Sequence, residues 1–192
     1  MTESTDPYTY PGTDVLRNLR DIRDPDILAR FEAESATRRI AELLHRPLQV
    51  RFDTLHLKAI HQYIFQDVYS WAGEFRTVQI SKGGQLFGLP QFVGPALEEV
   101  LGKLPAEDYL MGSDGKAFAD RAGFYLGELN AIHPFRDGNG RAQREFVREL
   151  GLKAGIVIDW SRITRERMIA ASRESFTTGN SSGLAALIRL CT

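Results

Sequence analysis

Residues 131–144 read Ala-Ile-His-Pro-Phe-Arg-Asp-Gly-Asn-Gly-Arg-Ala-Gln-Arg, and this stretch organises the chain on both sides of it. Apolar residues recur at helical spacing over 121–132, and a second helical pattern follows the stretch as far as Gly155. The proline after His133 has no backbone N–H and disfavours a helical residue before it, so the first helix is predicted to end at His133. Residues 137–140, Asp-Gly-Asn-Gly, tolerate positive φ angles. The stretch therefore predicts a helix, a tight loop and a second helix.

The loop and the start of the second helix contain the residue types that bind phosphate. Gly138, Asn139 and Gly140 open the helix, where unpaired N–H groups lie at the positive end of the helix dipole. Arg141 and Arg144 are three residues apart on the first turn and face the same way. Their positive charges oppose the helix dipole, which favours a negative ligand nearby. We predict that these five residues bind a polyphosphate.

Two more side chains of this stretch could take part in chemistry. Asp137 is a hard oxygen ligand of the kind that Mg²⁺ prefers, and Mg²⁺ usually completes its shell with phosphate and water. His133, with an ordinary pKa near about 6.5, is the predicted general base. Each feature alone is common at helix ends and turns, but their combination indicates an active site.

Other phosphate-binding motifs do not match. The chain has no Gly-x-x-x-x-Gly-Lys-Ser/Thr sequence, and Gln143 stands where a dinucleotide-binding fingerprint needs its third glycine. The sequence therefore does not favour a P-loop or Rossmann site.

The stretch from His133 to Arg144 resembles, position for position, the signature His-Pro-Phe-x-Asp/Glu-Gly-Asn-Gly-Arg-x-x-Arg of Fic domain proteins. Three other segments are also similar to that family: 67–76 (Asp-Val-Tyr-Ser-Trp-Ala-Gly-Glu-Phe-Arg), 80–84 (Ile-Ser-Lys-Gly-Gly) and 6–13, which looks like the start of small bacterial Fic toxins. The resemblance spans nearly the whole chain. It implies a mainly α fold, a single Fic-type helical domain over 1–192 with one β-hairpin flap next to the active site.

Fic enzymes similar to this chain transfer AMP from ATP to a hydroxyl side chain of a target protein and release pyrophosphate. The resemblance implies that His133 takes the proton of the attacking hydroxyl and that Asp137 holds Mg²⁺. The Gly-Asn-Gly turn would cradle the phosphates, and Arg141 and Arg144 would bind the β- and γ-phosphates. The expected protein is a protein adenylyltransferase, with ATP as its substrate and Mg²⁺ as its cofactor.

Several alternatives stay open. A relative that phosphorylates its target has Ala-Asn-Lys where this chain has Gly138-Asn139-Gly140, so the sequence favours adenylyl transfer. Transfer of a uridylyl or phosphocholine group is compatible with the motif, because base recognition lies outside it. A nucleotide-binding interaction module without turnover is a further alternative, against which the intact His133 and Asp137 count.

Residues 75–89 are predicted to form a β-hairpin flap. The first half alternates in polarity, and Gly83-Gly84 is a two-residue turn. The edge of an isolated hairpin can accept an extended segment of another protein. In Fic proteins the corresponding hairpin positions the target segment, so the resemblance makes Lys82 and Phe87 the expected target contacts.

The rest of the chain predicts further helices. An extended arm over 1–12 precedes a helix that Asp24 caps, Asp53 caps the next helix, and another covers 91–104. Residues 105–115 are predicted to be a loop.

Four other side chains have predicted structural roles. Ser161 is predicted to cap a helix that continues through Phe176. His56 and His61 are five residues apart, the wrong spacing for a metal site on one helix face, and we interpret both as structural. Phe135 is predicted to anchor the loop in the core.

Composition limits the class of partner. A net charge of −1 in 192 residues argues against a dedicated nucleic-acid or membrane binder, whose affinity would come from excess basic residues. Cys191 is the only cysteine, so no internal disulfide can form. The chain lacks an apolar run of transmembrane length and the apolar core of a signal peptide, and we expect a cytoplasmic protein.

Regulation is predicted from a missing motif. Many Fic proteins have an inhibitory helix with the sequence Ser/Thr-x-x-x-Glu-Gly/Asn. Residues 70–74, Ser-Trp-Ala-Gly-Glu, match its first part, but Phe75 breaks the match. The resemblance therefore implies a toxin that a separate antitoxin inhibits by docking a glutamate on Arg144. Similar toxins modify type II topoisomerases, so DNA gyrase and topoisomerase IV are the expected targets.

Overall fold

The computed structural model describes residues 6–48 and 51–192, which fold into seven α-helices and one β-hairpin. The helices are α1 (Pro25–His45), α2 (Thr54–Phe65), α3 (Val93–Leu101), α4 (Gly115–Ile132), α5 (Asn139–Lys153), α6 (Arg165–Thr178) and α7 (Ser182–Cys191). The antiparallel strands are β1 (Ser81–Lys82) and β2 (Gln85–Leu86), and short 3-10 helices cover Pro90–Phe92, Leu104–Leu110 and Trp160–Arg162. The predicted mainly α fold with a single hairpin is confirmed.

Helix α4 lies at the centre of the fold and packs against α3, α5, α6 and α7. Its side chains Phe118, Tyr125 and Leu129 are fully buried. Gly123 lets α7 approach closely, because a Cβ at this position would lie 2.8 Å from the backbone nitrogen of Ala185. Since α4 ends at His133, this packing places the catalytic candidate at the end of the central helix.

Aspartate caps begin three of the helices. The Asp24 carboxylate accepts hydrogen bonds from the N–H groups of Asp26 and Ile27 at the start of α1, and Asp53 accepts one from His56 at the start of α2. Both predicted caps are confirmed. Asp114 caps α4 in the same way.

The hairpin is shorter than the predicted 75–89. Its strands cover only 81–82 and 85–86, and Gly83 and Gly84 have φ angles of 57° and 81°, as a type I′ turn requires. The two halves of the predicted hairpin pair only near the turn, and the first residues of its first half do not pair with the second half. Instead, the N–H of Arg76 donates to the carbonyl of Pro134, because this segment runs along the active-site loop.

Two further boundaries differ from the prediction. Thr164, not Ser161, caps α6, because Asp159 accepts hydrogen bonds from both the N–H and the hydroxyl of Ser161 and holds it in a preceding 3-10 helix. The predicted loop 105–115 includes most of the 3-10 helix Leu104–Leu110, and the predicted helix 91–104 ends as an α-helix at Leu101.

The N-terminal segment packs on the core through Tyr8, whose hydroxyl accepts a hydrogen bond from the N–H of Thr77. Thr9 forms a β-bridge with Leu16, so this part turns back on itself and is not simply extended. Residues 1–5 of the predicted arm lie outside the described residues. Within the described ranges, no helix combines the length and the apolar character needed to cross a membrane.

Candidate active site

His133 ends α4 in the left-handed conformation, with φ 48° and ψ 64°, which is uncommon for a residue other than glycine. Its N–H still donates to the carbonyl of Leu129, and Pro134 then directs the chain away from the helix axis. The predicted helix end at His133 is confirmed. In its side chain, ring Nδ1 lies 3.1 Å from the carbonyl oxygen of Asn130. A carbonyl can only accept, so Nδ1 carries the proton and Nε2 presents a lone pair.

The ring of His133 is buried against the flap. Phe87 stacks on it with ring centroids 4.0 Å apart, and Phe87 itself is only 4% exposed. Burial lowers the pKa of His133 to about 4, and the nearby positive charges of Lys82 and Arg76 act in the same direction. The imidazole is therefore neutral at pH 7 and can accept a proton.

Asn139 closes the loop with its side chain. Its Oδ1 accepts from the N–H of Phe135 and its Nδ2 donates to the carbonyl of Phe135, both at 2.8 Å. Phe135 is fully buried and stacks on the ring of His61 with centroids 3.8 Å apart, which confirms its role as a core anchor. The side-chain amide of Asn139 is thus engaged within the loop, which leaves its backbone N–H as the group that could bind an anion.

His61 supports the loop from below. Its Nδ1 accepts from the N–H of Gly73 and its Nε2 donates to the carbonyl of Asp137, both at 2.9 Å. Burial lowers the pKa of His61 to about 4, so the ring stays neutral and keeps this tautomer. The structural interpretation of His61 is confirmed.

Gly138 is required by the geometry of the loop. Its φ is 77°, and a Cβ here would overlap the ring of Phe65. The close approach places the loop directly on α2, just before the N–H groups of Asn139 and Gly140 that begin α5. These two N–H groups have no backbone or side-chain acceptor among residues 6–48 and 51–192, as expected for an anion-binding helix start.

The guanidinium of Arg144 lines the same cleft. Burial lowers its pKa, and the neighbouring charge of Arg141 adds to this effect. No carboxylate of the described residues lies within 4.0 Å of it. A partly buried guanidinium with no carboxylate partner in the described part of the chain indicates an anionic ligand.

Arg141 differs from Arg144 because it is already paired. Its Nη2 lies 2.5 Å from Oε1 of Glu32 on α1, and its guanidinium lies over the ring of Phe65, 4.6 Å from the centroid. Tyr69 donates a hydrogen bond to the other oxygen of Glu32. The sequence analysis missed Glu32, which is 109 residues from Arg141 and has no local pattern to reveal it.

Arg76 is a second residue that the sequence analysis did not single out. Arg76 is 2% exposed, and the partners of its guanidinium in the described part of the chain are all backbone carbonyls. Nε donates to the carbonyl of His133 at 2.8 Å, while Nη1 and Nη2 donate to Val78 and Gly88 at 2.9 and 2.7 Å. One guanidinium therefore joins both ends of the flap to the active-site loop. Its place in the family-like segment 67–76 was the only signal in the sequence.

Asp137 has the chemistry of a Mg²⁺ ligand. Its Oδ1 accepts from the N–H of Gly138 at 2.7 Å, and its half-buried carboxylate borders the cleft. No group of three or more His, Cys, Asp or Glu side chains that could hold a metal occurs in the described part of the chain. A single carboxylate facing a phosphate cradle suits Mg²⁺, which takes its other ligands from phosphate and water.

A cleft of about 1060 Å³ brings all the predicted site residues together. The loop and the first turn of α5 form its floor, the flap borders one side and the start of α6 the other. The predicted residues that line it are Lys82, Phe87, His133, Asp137, Gly138, Asn139, Gly140, Arg141 and Arg144. The volume is large enough for a nucleotide and part of a second substrate.

A family model described as Fic/DOC family matches residues 51–150, which include the flap and the whole motif. The chain belongs to the Fic/DOC family.

Curated relatives are named as protein adenylyltransferases. The chain is 45% identical to protein adenylyltransferase VbhT of Bartonella schoenbuchensis over 97% of its own length, but it spans only 39% of that protein. It is 40% identical to the probable protein adenylyltransferase y4lH of Sinorhizobium fredii, covering 96% of this chain and 94% of the relative.

Solved structures of similar fold contain adenine nucleotides. The BepC effector protein of Bartonella tribocorum, solved with bound AMPPNP, has a TM-score of 0.88 and 29% identity, covering 96% of this chain and 95% of that one. A Fic domain from Bartonella quintana with bound ADP has the same TM-score and identity, covering 96% and 93%. The Fic-type helical fold that the resemblance implied is therefore confirmed.

Proposed function

We propose that this chain is a protein adenylyltransferase that transfers the AMP part of ATP to a hydroxyl group of another protein. The observation that carries the proposal is the neutral imidazole of His133, which lines one cleft together with the Arg144 guanidinium and the N–H groups that begin α5. The names of the relatives and the nucleotides bound in similar structures agree with it.

In the proposed reaction, the hydroxyl oxygen of the target attacks the α-phosphorus of ATP. The bond from phosphorus to the bridging oxygen breaks, pyrophosphate leaves, and the hydroxyl proton passes to Nε2 of His133. The hydrogen bond from Nδ1 to Asn130 keeps that nitrogen protonated and so directs the proton to Nε2. A positioned base of this kind commonly speeds the step by about 10²- to 10⁴-fold.

The cradle stabilises the negative charge that moves toward the leaving group. The N–H groups of Asn139 and Gly140 and the guanidinium of Arg144 would bind phosphate oxygens without reorganising. Asp137 is the residue that would hold Mg²⁺, which supplies positive charge to the α- and β-phosphates when bound.

The flap would hold the target segment. Strand β1 has an exposed edge next to His133, and Lys82 is exposed at the rim of the cleft. Phe87 has a different position from the one expected, because it is buried on the ring of His133. Contact of either residue with a target stays a prediction.

We further propose that the chain is a toxin inhibited by a separate antitoxin. Glu74, the glutamate of the partial inhibitory motif, is 69% exposed and lies 3.4 Å from Lys58. Glu74 pairs with Lys58 and not with Arg144, which leaves this arginine available to a glutamate of another chain. DNA gyrase and topoisomerase IV are the proposed targets and the cytoplasm the proposed place of action, on the resemblance alone.

The test uses purified protein, a His133→Ala control, Mg²⁺ and ATP labelled at the α-phosphate, with bacterial lysate or purified gyrase and topoisomerase IV. Label on a protein band that the control lacks is the expected result. If only a label on the γ-phosphate were transferred, the reaction would be phosphorylation and not adenylyl transfer. Nucleotide binding without transfer of either label would favour the interaction module.

A further inference from the structure

A glutamate that accepts hydrogen bonds from both a tyrosine and an arginine recurs at three places in the described residues. The sets are Glu32 with Tyr69 and Arg141, Glu42 with Tyr63 and Arg39, and Glu107 with Tyr125 and Arg121. Only the Glu32 set borders the active-site cleft, because both Glu32 and Arg141 line it. The other two sets lie outside the cleft and show what such an arrangement contributes to structure alone.

The Glu32 carboxylate divides its two oxygens between its partners. Oε2 accepts from the hydroxyl of Tyr69, and Oε1 accepts from Nη2 of Arg141. Among residues 6–48 and 51–192, only Nη2 of the guanidinium has an acceptor, so the remaining N–H groups of Arg141 are left for a ligand. Phe65 supports one face of the guanidinium. The arginine is therefore held in one orientation while keeping donors for a ligand.

Charge balance explains why a carboxylate is placed here. Arg141 and Arg144 lie one turn apart at the positive end of α5, where positive side chains are unfavourable. The Glu32 side chain is 13% exposed, so its charge is only partly screened by solvent. Burial and the neighbouring Glu32 charge raise the pKa of Tyr69, which keeps the hydroxyl protonated as a donor to Glu32.

We propose, on the basis of the function proposed above, that Glu32 is a positioning residue that holds Arg141 oriented for the β- and γ-phosphates of the nucleotide. Glu32 acts through Arg141 and Tyr69 fixes Glu32 in turn. Preorganising a flexible arginine removes part of the entropy cost of binding. Loss of Glu32 should consequently weaken binding of nucleotides that reach Arg141, and of no others.

The experiment measures binding of AMP, ADP and AMPPNP by calorimetry, without turnover. Glu32→Ala should lower the affinity for ADP and AMPPNP by about tenfold, which corresponds to about 1.4 kcal/mol of binding free energy. The affinity for AMP should change by less than about twofold. Glu32→Gln should restore most of the affinity, because the amide can still accept from Arg141 and hydrogen-bond to Tyr69. Glu107→Ala is the matched control. It removes the same kind of contact outside the cleft and should not change nucleotide affinity.

A double-mutant cycle tests whether Glu32 works through Arg141. In an Arg141→Ala background, Glu32→Ala should cause no further loss of ADP affinity. Equal losses in both backgrounds, equal losses for AMP and ADP, or tighter binding of ADP by Glu32→Ala would each overturn the proposal. So would a wild-type protein that binds none of the three nucleotides.

These outcomes separate the inference from the proposed function. If the expected binding pattern occurs but no AMP reaches a protein, the transferase proposal fails and the role of Glu32 stands. If AMP is transferred and Glu32→Ala behaves like Glu107→Ala, the transferase proposal stands and the role of Glu32 is lost.

Discussion

At the scale of single residues, the site depends on a histidine that remains neutral. His133 is held by Asn130 on one ring nitrogen and by Phe87 on one ring face, and burial prevents it from charging. An exposed histidine would be partly protonated near neutral pH and would lose its lone pair. The proposed base is therefore ready to accept a proton at neutral pH.

The acid limb of transfer activity should lie well below the ordinary histidine pKa. The pKa of His133 is about 4, so kcat/KM should stay high as the pH falls from 7 to about 5. It should drop only as the pH approaches the pKa of His133. Steady-state rates across this range, in saturating Mg²⁺, provide the measurement. A limb centred near about 6.5 would contradict the burial of the base.

Stability should fall with acid through the same group. The unfolded chain binds a proton on His133 below about 6.5, whereas the folded chain does so only near pH 4. The free energy of unfolding should therefore decrease as the pH falls from about 6.5 to 4, by roughly 3 kcal/mol for this residue. Urea unfolding at several pH values measures the slope, and His133→Ala should show a smaller one. Equal slopes would argue against the lowered pKa.

Gly138→Ala should both destabilise the protein and abolish transfer. The alanine would have to adopt a positive φ, and its Cβ would overlap the ring of Phe65. We therefore expect the free energy of unfolding to fall by at least about 2 kcal/mol. Gly155→Ala is the control, since Gly155 also has a positive φ but open space around it. Thermal and urea unfolding of both variants would show whether the clash matters. Similar losses would mean that backbone conformation alone accounts for the effect.

At the scale of elements, the flap and the catalytic loop behave as one unit. Arg76 binds carbonyls of both, and Gln85 at the flap tip donates to the hydroxyl of Thr177 on α6. The flap is thereby attached at its base and at its tip across the cleft. A two-stranded hairpin is marginal on its own, so these attachments determine where its edge lies.

Arg76→Lys should reduce transfer more than nucleotide binding. Lysine cannot reproduce the planar set of donors to His133, Val78 and Gly88, so the flap and the base should lose their mutual alignment. We expect kcat to fall by about tenfold or more while the affinity for ADP changes by less than about threefold. Kinetics and calorimetry on the same preparations measure the two quantities.

Arg189→Lys, at an exposed pair with Asp120, is the control for that substitution. It should leave both quantities unchanged. If Arg76→Lys weakened ADP binding as much as transfer, its role would be general stability and not alignment.

At the scale of the whole molecule, the site rests on the packing of α4 in the core. One end of α4 is His133, and its middle crosses α7 at Gly123. Helix α5 has a comparable double role. Its first turn forms the proposed phosphate cradle, while its buried Glu149 accepts a 2.7 Å hydrogen bond from His56 of α2. The proposed catalytic residues are therefore held by helices whose other parts belong to the core.

Gly123→Ala should lower stability without removing nucleotide binding. The new Cβ would lie 2.8 to 2.9 Å from atoms of Ala185, which forces α4 and α7 apart, and the expected loss is about 1 to 3 kcal/mol. Gly94→Ala in α3 is the matched control, because nothing lies within 4 Å of its added Cβ. It should stabilise the protein by up to about 1 kcal/mol. Urea unfolding measures the free energy of unfolding of both variants. A Gly123→Ala variant more stable than the wild type would contradict the close packing of α4 on α7.

The sequence by itself determined the features that depend on neighbouring residues. The end of α4 at His133, the aspartate caps of α1 and α2, and the Gly83-Gly84 turn follow from the steric and hydrogen-bonding limits of a few adjacent residues. The residues predicted to bind phosphate and metal also lie in one short stretch, so their meeting in one cleft needed no knowledge of the fold.

The tertiary structure decided the features in which distant residues meet. Arg76 reaches the carbonyl of His133 across 57 positions and Glu32 reaches Arg141 across 109, and no local pattern predicts either pair. Local rules also failed where two neighbours were equally suitable caps. Ser161 and Thr164 both suit a helix start, and Thr164 caps α6 in the structure. Asp159 binds Ser161 instead, and the indole of Trp160 donates to the carbonyl of Arg144. The physical reason is that burial and long-range hydrogen bonds select among conformations that the local sequence allows equally.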